Sequence, residues 1–352
     1  MRNKNLVTLI VVAVVLAAVA WLSSSGRKVK APSLVGKPVL KAFDFSEVAR
    51  IEVGGKLTLA GTDAGWVIQS LHGYPADIAK IRENLLKLQD LKAGHVASGK
   101  KLEAPALLDL QNAAGKSLAT LRLGDKHLRQ PTGEMAQFGG GAYPDGRYVA
   151  ADGSDTVVLV KDALDAFDGD PKSWADTQIA AVPAADLAAI ELTRDGQTAK
   201  LAKKDGAWTL DGLGEKEEFD SSKSYGVESA LSYLNFTTVA DPAQSDDQLG
   251  FAAAAVYRAT LKTGENYTAQ IGAAPTNSTD RFFRISAAFT PVGTNATENA
   301  ALQQKVDDFN AKAGKWTFVI PAYSADNMTK TRADLVKPKE EPKKDAPAEA
   351  VE

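Results

Sequence analysis

Three short motifs stand in the order that a serine acyltransferase of the penicillin-binding type would need. Ser98-Gly-Lys-Lys101 reads as S-x-x-K, Tyr233-Leu-Asn235 as Y-x-N, and Lys262-Thr263-Gly264 as K-T-G. That chemistry requires the serine at the head of a buried helix, where the lysine takes its proton, and the K-T-G on a strand lining the site. The surroundings predict otherwise. Gly99 and Pro105 make a poor helix start after Ser98, and Lys262-Thr263-Gly264 falls between two alternating runs as a hairpin turn. All three motifs are expected to be scaffold, so no catalytic residue is assigned and the chain reads as non-enzymatic.

Other chemistries find less material. His72, His95 and His127 lie on separate segments with no H-x-H or H-E-x-x-H spacing, so no metal site is expected. Gly139-Gly140-Gly141 lacks the Lys-Ser/Thr and the helix that a phosphate cradle needs, and Tyr143-Pro-Asp-Gly146 after it reads as a turn. No cofactor is expected. The absence of cysteine excludes disulfides, a thiol nucleophile and a lipobox. With residues 1–30 and 337–352 set aside, 32 Lys/Arg face 39 Asp/Glu, and a body of net charge −7 is a poor partner for nucleic acid. Four residues remain as candidate partner or ligand contacts: Tyr143, Trp174, Val306 and Phe309. Gln303, Gln304, Val306 and Phe309 suggest a short helix inside an insertion, and Trp66 and Trp208 are expected to pack in the core.

The elements that must position these residues begin with a membrane segment. From Leu6 to Leu22 the chain is apolar except for Thr8, with Leu6, Ile10, Val14, Ala18 and Leu22 along it. Seventeen helical residues reach about 25 Å, and Ser23–Ser25 would close the span of about 30 Å. It reads as a single-pass transmembrane helix; Ala18 and Ala20 before Trp21 leave a cleaved signal peptide as the alternative. Lys/Arg counts on the two sides nearly balance, so charge does not orient it, while the short head favours a body outside the cytoplasm.

The body reads as a duplication. Val48, Ile51 and Val53, then Leu57-Thr-Leu59 and Gly65-Trp66, parallel Leu187, Ile190 and Leu192, then Lys200-Leu201 and Gly206-Ala-Trp208, at offsets of 139 to 142. Each series continues into an amphipathic helix, opened by Tyr74-Pro75 in the first copy and reaching Leu231 and Leu234 in the second. Alternating hairpins follow at Leu108–Leu123 and Val256–Ile271, with later strands at 147–149 and 156–160, and at 282–285 and 317–320. The fold class is therefore α+β: an N-terminal transmembrane helix and flank (1–30), a first α+β repeat with antiparallel strands (31–176), and a second (177–336) carrying an insertion at 287–314. A disordered, Lys/Glu/Pro-rich tail (337–352) follows.

The anchor, Val48-x-x-Ile51, Gly65-Trp66, Tyr74-Pro75-Ala76-Asp77, Leu121-x-Leu123-Gly124, Arg147-Tyr148-Val149 and Asp170-Pro-Lys-Ser-Trp174 together resemble the domain-of-unknown-function 4340 family, from Phe43 to about Leu335. The resemblance implies a membrane-anchored, extracytoplasmic accessory subunit on the bacterial inner membrane. It would partner the permease or auxiliary subunits of an ABC export system similar to the gliding-motility type. The family brings no catalytic residues to carry over. An envelope glycan-binding module is the alternative function.

Overall fold

A computed structural model describes residues 34–131, 141–151 and 153–339. The apolar run with Leu6, Ile10, Val14, Ala18 and Leu22 lies outside these residues, as does the tail beyond Lys339. Among the described residues no helix is long and apolar enough to cross a membrane. The fold is mixed α+β, and among the described residues the strands pair antiparallel.

The first half supplies β1 (Arg50–Val53), β2 (Leu57–Thr62), β3 (Gly65–Ile68), β4 (Tyr74–Pro75), α1 (Ile78–Gln89), β5 (His95–Val96), β6 (Ala106–Gln111), β7 (Ser117–Arg129), β8 (Tyr143–Ala151) and β9 (Val158–Val160). Next come β10 (Gln178–Ala180), β11 (Leu187–Arg194), β12 (Gln197–Lys204), β13 (Ala207–Leu210), β14 (Glu217–Phe219), α2 (Ser221–Glu228), β15 (Leu234–Asn235) and β16 (Thr238–Val239). The chain continues through α3 (Asp246–Leu249), β17 (Ala255–Leu261), β18 (Glu265–Ile271), β19 (Arg281–Phe289), α4 (Ala296–Phe309), β20 (Phe318–Ile320), α5 (Ala322–Met328) and β21 (Val336–Pro338).

Strand order runs β1-β6-β7-β8-β9-β5 in the first half and β11-β17-β18-β19-β20-β16 in the second, the same sequence of roles. Period-two alternation explains both. Ile51 pairs with Leu110 and Val53 with Leu108, all with negligible exposure, so one face of the sheet is a continuous apolar layer. In the second half Leu192 pairs with Tyr257 and Tyr257 with Ala269, all buried.

Compactness divides the chain into a unit of residues through Gly54 plus Glu83–Asp168, and a second of Gly55–Arg82 plus the chain from Gly169. In the first, Arg147 is buried beside the β7 bulge. Its Nε donates to the Gly124 carbonyl at 2.9 Å and its Nη1 to Asp168 at 2.7 Å, which also pairs with Lys126 at 2.6 Å.

In the second unit, Tyr74 packs against Phe236 (ring centroids 5.1 Å), Trp316 (5.0 Å) and Phe318 (6.2 Å). Its hydroxyl donates to the Asp176 carbonyl at 3.3 Å, and burial with the nearby Asp176 carboxylate pushes its pKa up to about 12. The amide of Asp77 donates to the Trp174 carbonyl at 2.7 Å and Lys80 Nζ to that of Ala175 at 2.6 Å. A segment from the first half of the chain is thus part of the core that the second half builds.

Several local expectations change. Tyr74-Pro75 does not open α1; it is a strand on β3, because Tyr74 gains the aromatic cluster. The helix starts instead after Asp77, whose carboxylate accepts from the Ala79 amide at 2.9 Å. Asp220 caps α2 through the Ser222 amide, but α2 ends at Glu228 rather than running to Leu234. Gly226 and the serines around it are weak helix formers, and Leu231 and Leu234 are buried beyond its end. Tyr143-Pro-Asp-Gly146 is the start of β8 and not a turn, since β7 extends to Arg129 to pair with it. Trp66 and Trp208 are half-buried at strand ends, not core residues; Lys203 lies 5.4 Å over the Trp208 ring. Ordered chain continues past Val336, because β21 pairs with β14 and Arg332 holds Glu217 there, keeping that carboxyl down at about 2.

Candidate functional site

The acyltransferase motifs take turn conformations. Ser98 and Gly99 form a turn, with Gly99 at φ +79°, rather than a helix head. Tyr233 is an exposed turn residue between α2 and β15, not a helix residue. Lys262-Thr263-Gly264 is the β17–β18 hairpin turn. Gly264 has φ +101°, and a Cβ there would collide with the Thr290 carbonyl, so its glycine serves the turn. Among the described residues no three His, Asp or Glu side chains come together as a metal site. His127 pairs instead with Asp145 through Nδ1 at 2.5 Å, tying β7 to β8.

The four candidate contact residues separate sharply. Tyr143 is 41 % exposed on β8, across from Arg129. Trp174 is 0 % exposed and Val306 1 %, so neither can meet a ligand: both are packing residues. The segment Pro171–Trp174 forms a short 3-10 turn capped by Asp170, and the indole of Trp174 is buried. Phe309 alone faces a cavity. It closes α4, a 14-residue helix that is longer than the short helix expected for the insertion.

That cavity is an open cleft of about 320 Å³ in the second unit, between α4, the β17–β18 hairpin and the chain from Gln178 to Pro183. Phe309 stands edge-on to Tyr267 at 5.1 Å, with Leu261 beside them and Ala181 exposed on the opposite wall. Three contacts fix α4 over it. The Asn310 side chain bridges both backbone groups of Ala287 at 2.8 Å each. Lys305 Nζ pairs with Glu265 at 2.8 Å, and Lys312 Nζ with Asp176 at 2.7 Å and with the Gln178 carbonyl at 3.1 Å.

Electrostatics follow burial. Glu265 is fully enclosed; burial raises its pKa, but hydrogen bonds from Lys305 and Thr263 outweigh this and hold it below the usual carboxylate range. The same bond raises Lys305, and burial raises Tyr267. For Asp176, burial is again overcome, by Lys312 and the Gln178 amide. Groups with shifted pKa values thus gather around one cleft, a pattern that functional sites share with structural ion pairs. Chemically the cleft offers an apolar floor with two lysines and two aspartates, Asp186 and Asp308, at its rim. Such a surface suits binding.

Sequence reasoning found Phe309 and missed Tyr267, Glu265, Lys305 and Lys312. A signal existed: Glu265 occupies an inward position of the alternation Glu265, Tyr267, Ala269, Ile271, and a carboxylate there demands a partner.

The family described as Domain of unknown function (DUF4340) matches residues 66–254. No curated protein and no solved structure matches the chain. The matched stretch covers more than half of the 352 residues, so the chain belongs to the DUF4340 family.

Proposed function

We propose that the protein is a non-enzymatic accessory subunit, held by the apolar segment Leu6–Leu22 in a bacterial inner membrane with its body on the extracytoplasmic side. On this reading two tandem α+β repeats, descended from one duplicated module, form the body. The second repeat docks a protein partner of an ABC-type export system, a permease or auxiliary subunit. The equal strand order of the two halves supports the duplication. The observation that carries the docking role is the cleft under α4. It is built by an insertion present in one half only, and connections are where a repeated scaffold acquires binding surfaces.

The test is extraction of the full-length protein in mild detergent, with identification of what accompanies it. Permease and ATPase subunits should copurify. Ala181→Trp, an exposed position that would fill the cleft without touching the core, should remove them while leaving the thermal unfolding unchanged. Recovery of the chain alone would overturn the reading.

A further inference from the structure

A second groove is wider than the cleft under α4. It belongs to the first unit, holds about 760 Å³, and runs between Val35-Gly36, the exposed side of α1 and Lys161-Asp162. Its position relative to the amino-terminal end of the body is fixed by backbone bonds. Gly36 N donates to the Ala93 carbonyl at 2.7 Å, Ala93 N to that of Lys37 at 3.0 Å, and Val39 N to that of Leu91 at 2.9 Å. Gly94 N bonds the Leu159 carbonyl at 2.9 Å, which brings the end of β9 alongside.

Two features say what meets this face. The first is length. Eleven residues separate Leu22 from Leu34, and an extended chain reaches at most about 40 Å over that distance, so the groove stays close to whatever holds the apolar segment. The second is charge. The chain holds seven Lys/Arg and no acid before Asp44, three of them, Arg27, Lys28 and Lys30, in the connecting stretch. Lys92 and Lys161 on the groove, and Lys37 next to its Gly36, are exposed and form no ion pair among the described residues, while Lys87 pairs with Glu83 at 2.8 Å. Asp90 and Asp162 are the other acids lining it. Val35 at 49 % and Leu86 at 47 % exposure line the same groove, and exposed Leu34 precedes Val35. Lysines around exposed aliphatic side chains match an interface of anionic headgroups over acyl chains.

We propose that this face of the first unit rests on an anionic lipid surface, with the lysines over the headgroups and Leu34, Val35 and Leu86 at the interface. The proposal rests on the membrane anchor of the preceding section. The absence of cysteine makes it directly testable, because Leu86→Cys and Val35→Cys each give a single site for an environment-sensitive fluorophore. Labelled full-length protein is reconstituted in vesicles of one part phosphatidylglycerol to two parts phosphatidylcholine, with Tyr233→Cys, 82 % exposed in the second unit, as the reference site.

The expected result is blue-shifted emission at positions 86 and 35, solvent-like emission at 233, and loss of the shift in high salt. Lys92→Gln with Lys161→Gln should lower the docking equilibrium constant about five-fold per lysine removed. If the protein floats with the vesicles but sites 86 and 35 emit like site 233, this inference fails and the anchor stands. If the protein does not float, both fail. An equal shift in pure phosphatidylcholine overturns the lipid assignment, and if that shift fades as the protein is diluted in lipid, a second copy of the chain occupies the groove.

Discussion

Replacing Tyr74 with alanine should destabilise the second unit far more than its place in the two-residue strand β4 suggests. The ring is buried and lies within 5.0 to 6.2 Å of Phe236, Trp316 and Phe318, all from the second half of the chain. Truncating a large buried aromatic side chain costs about 3–5 kcal/mol, from lost transfer energy and the cavity left behind. For a unit of this size that lowers the midpoint of thermal unfolding by about 8–16 °C. Tyr74→Phe keeps the packing and loses one hydrogen bond, which at 3.3 Å is long, so it should cost about 0.5–1 kcal/mol. Urea denaturation of the full-length protein, followed by tryptophan emission, measures both variants. Residues 177–352 produced alone should fail to unfold cooperatively, because the aromatic cluster would lack its central ring. Equal effects of the two substitutions, or a cooperative transition in the isolated second half, would refute the reasoning.

Glu265 ties stability to pH. Its folded pKa is depressed, so its contribution is present above the ordinary carboxylate range and is lost as pH falls through the folded value. Lys305→Met removes a hydrogen bond that lowers the pKa and leaves burial to raise it. Acid unfolding should then begin at higher pH, with a loss of about 1–2 kcal/mol at neutral pH, the smaller figure reflecting a lysine side chain that is more than half exposed. An unchanged acid midpoint would contradict this. Gly264→Ala should cost about 2–3 kcal/mol from its positive φ and the Thr290 carbonyl, whereas Lys262→Ala in the same turn should cost under about 1 kcal/mol; calorimetry on both separates a turn from a catalytic motif.

The strands were legible wherever alternation and burial coincide. Ile51 and Val53, Leu108 and Leu110, Tyr267 and Ile271 announce their inward faces without help from elsewhere. What stayed hidden depended on partners distant in sequence. Tyr74-Pro75 looks like a helix start until Phe236 and Trp316 hold the tyrosine in a strand. Tyr143-Pro-Asp-Gly146 has turn composition, yet it pairs with His127–Arg129 at the far end of the bulged β7. Trp174 looks like a surface aromatic because its neighbours are polar, yet its indole is buried at the end of the 3-10 turn capped by Asp170. The cleft itself was half legible: the segment that carries α4 stood out in the sequence, but Glu265 meets Lys305, and Lys312 meets Asp176, only in the folded chain.

The two halves vary in different connections while their strand order stays the same. The first lengthens β7 to 13 residues and projects Leu128 and Tyr143 on its ribbon with β8; the second leaves β18 at seven and places α4 between β19 and β20. A change within a strand would disturb two neighbouring ladders at once, whereas a connection can grow at the cost of loop entropy alone, about 0.6 kcal/mol per doubling of its length. Each insertion must still be tethered to be a defined surface, and both are. His127 and Asp145 clamp the ribbon, and Asn310, Lys305 and Lys312 clamp the helix. On the docking role proposed above, the two halves would carry separate contact surfaces, and substitutions at Tyr143 and at Ala181 should then affect separate partners or separate steps.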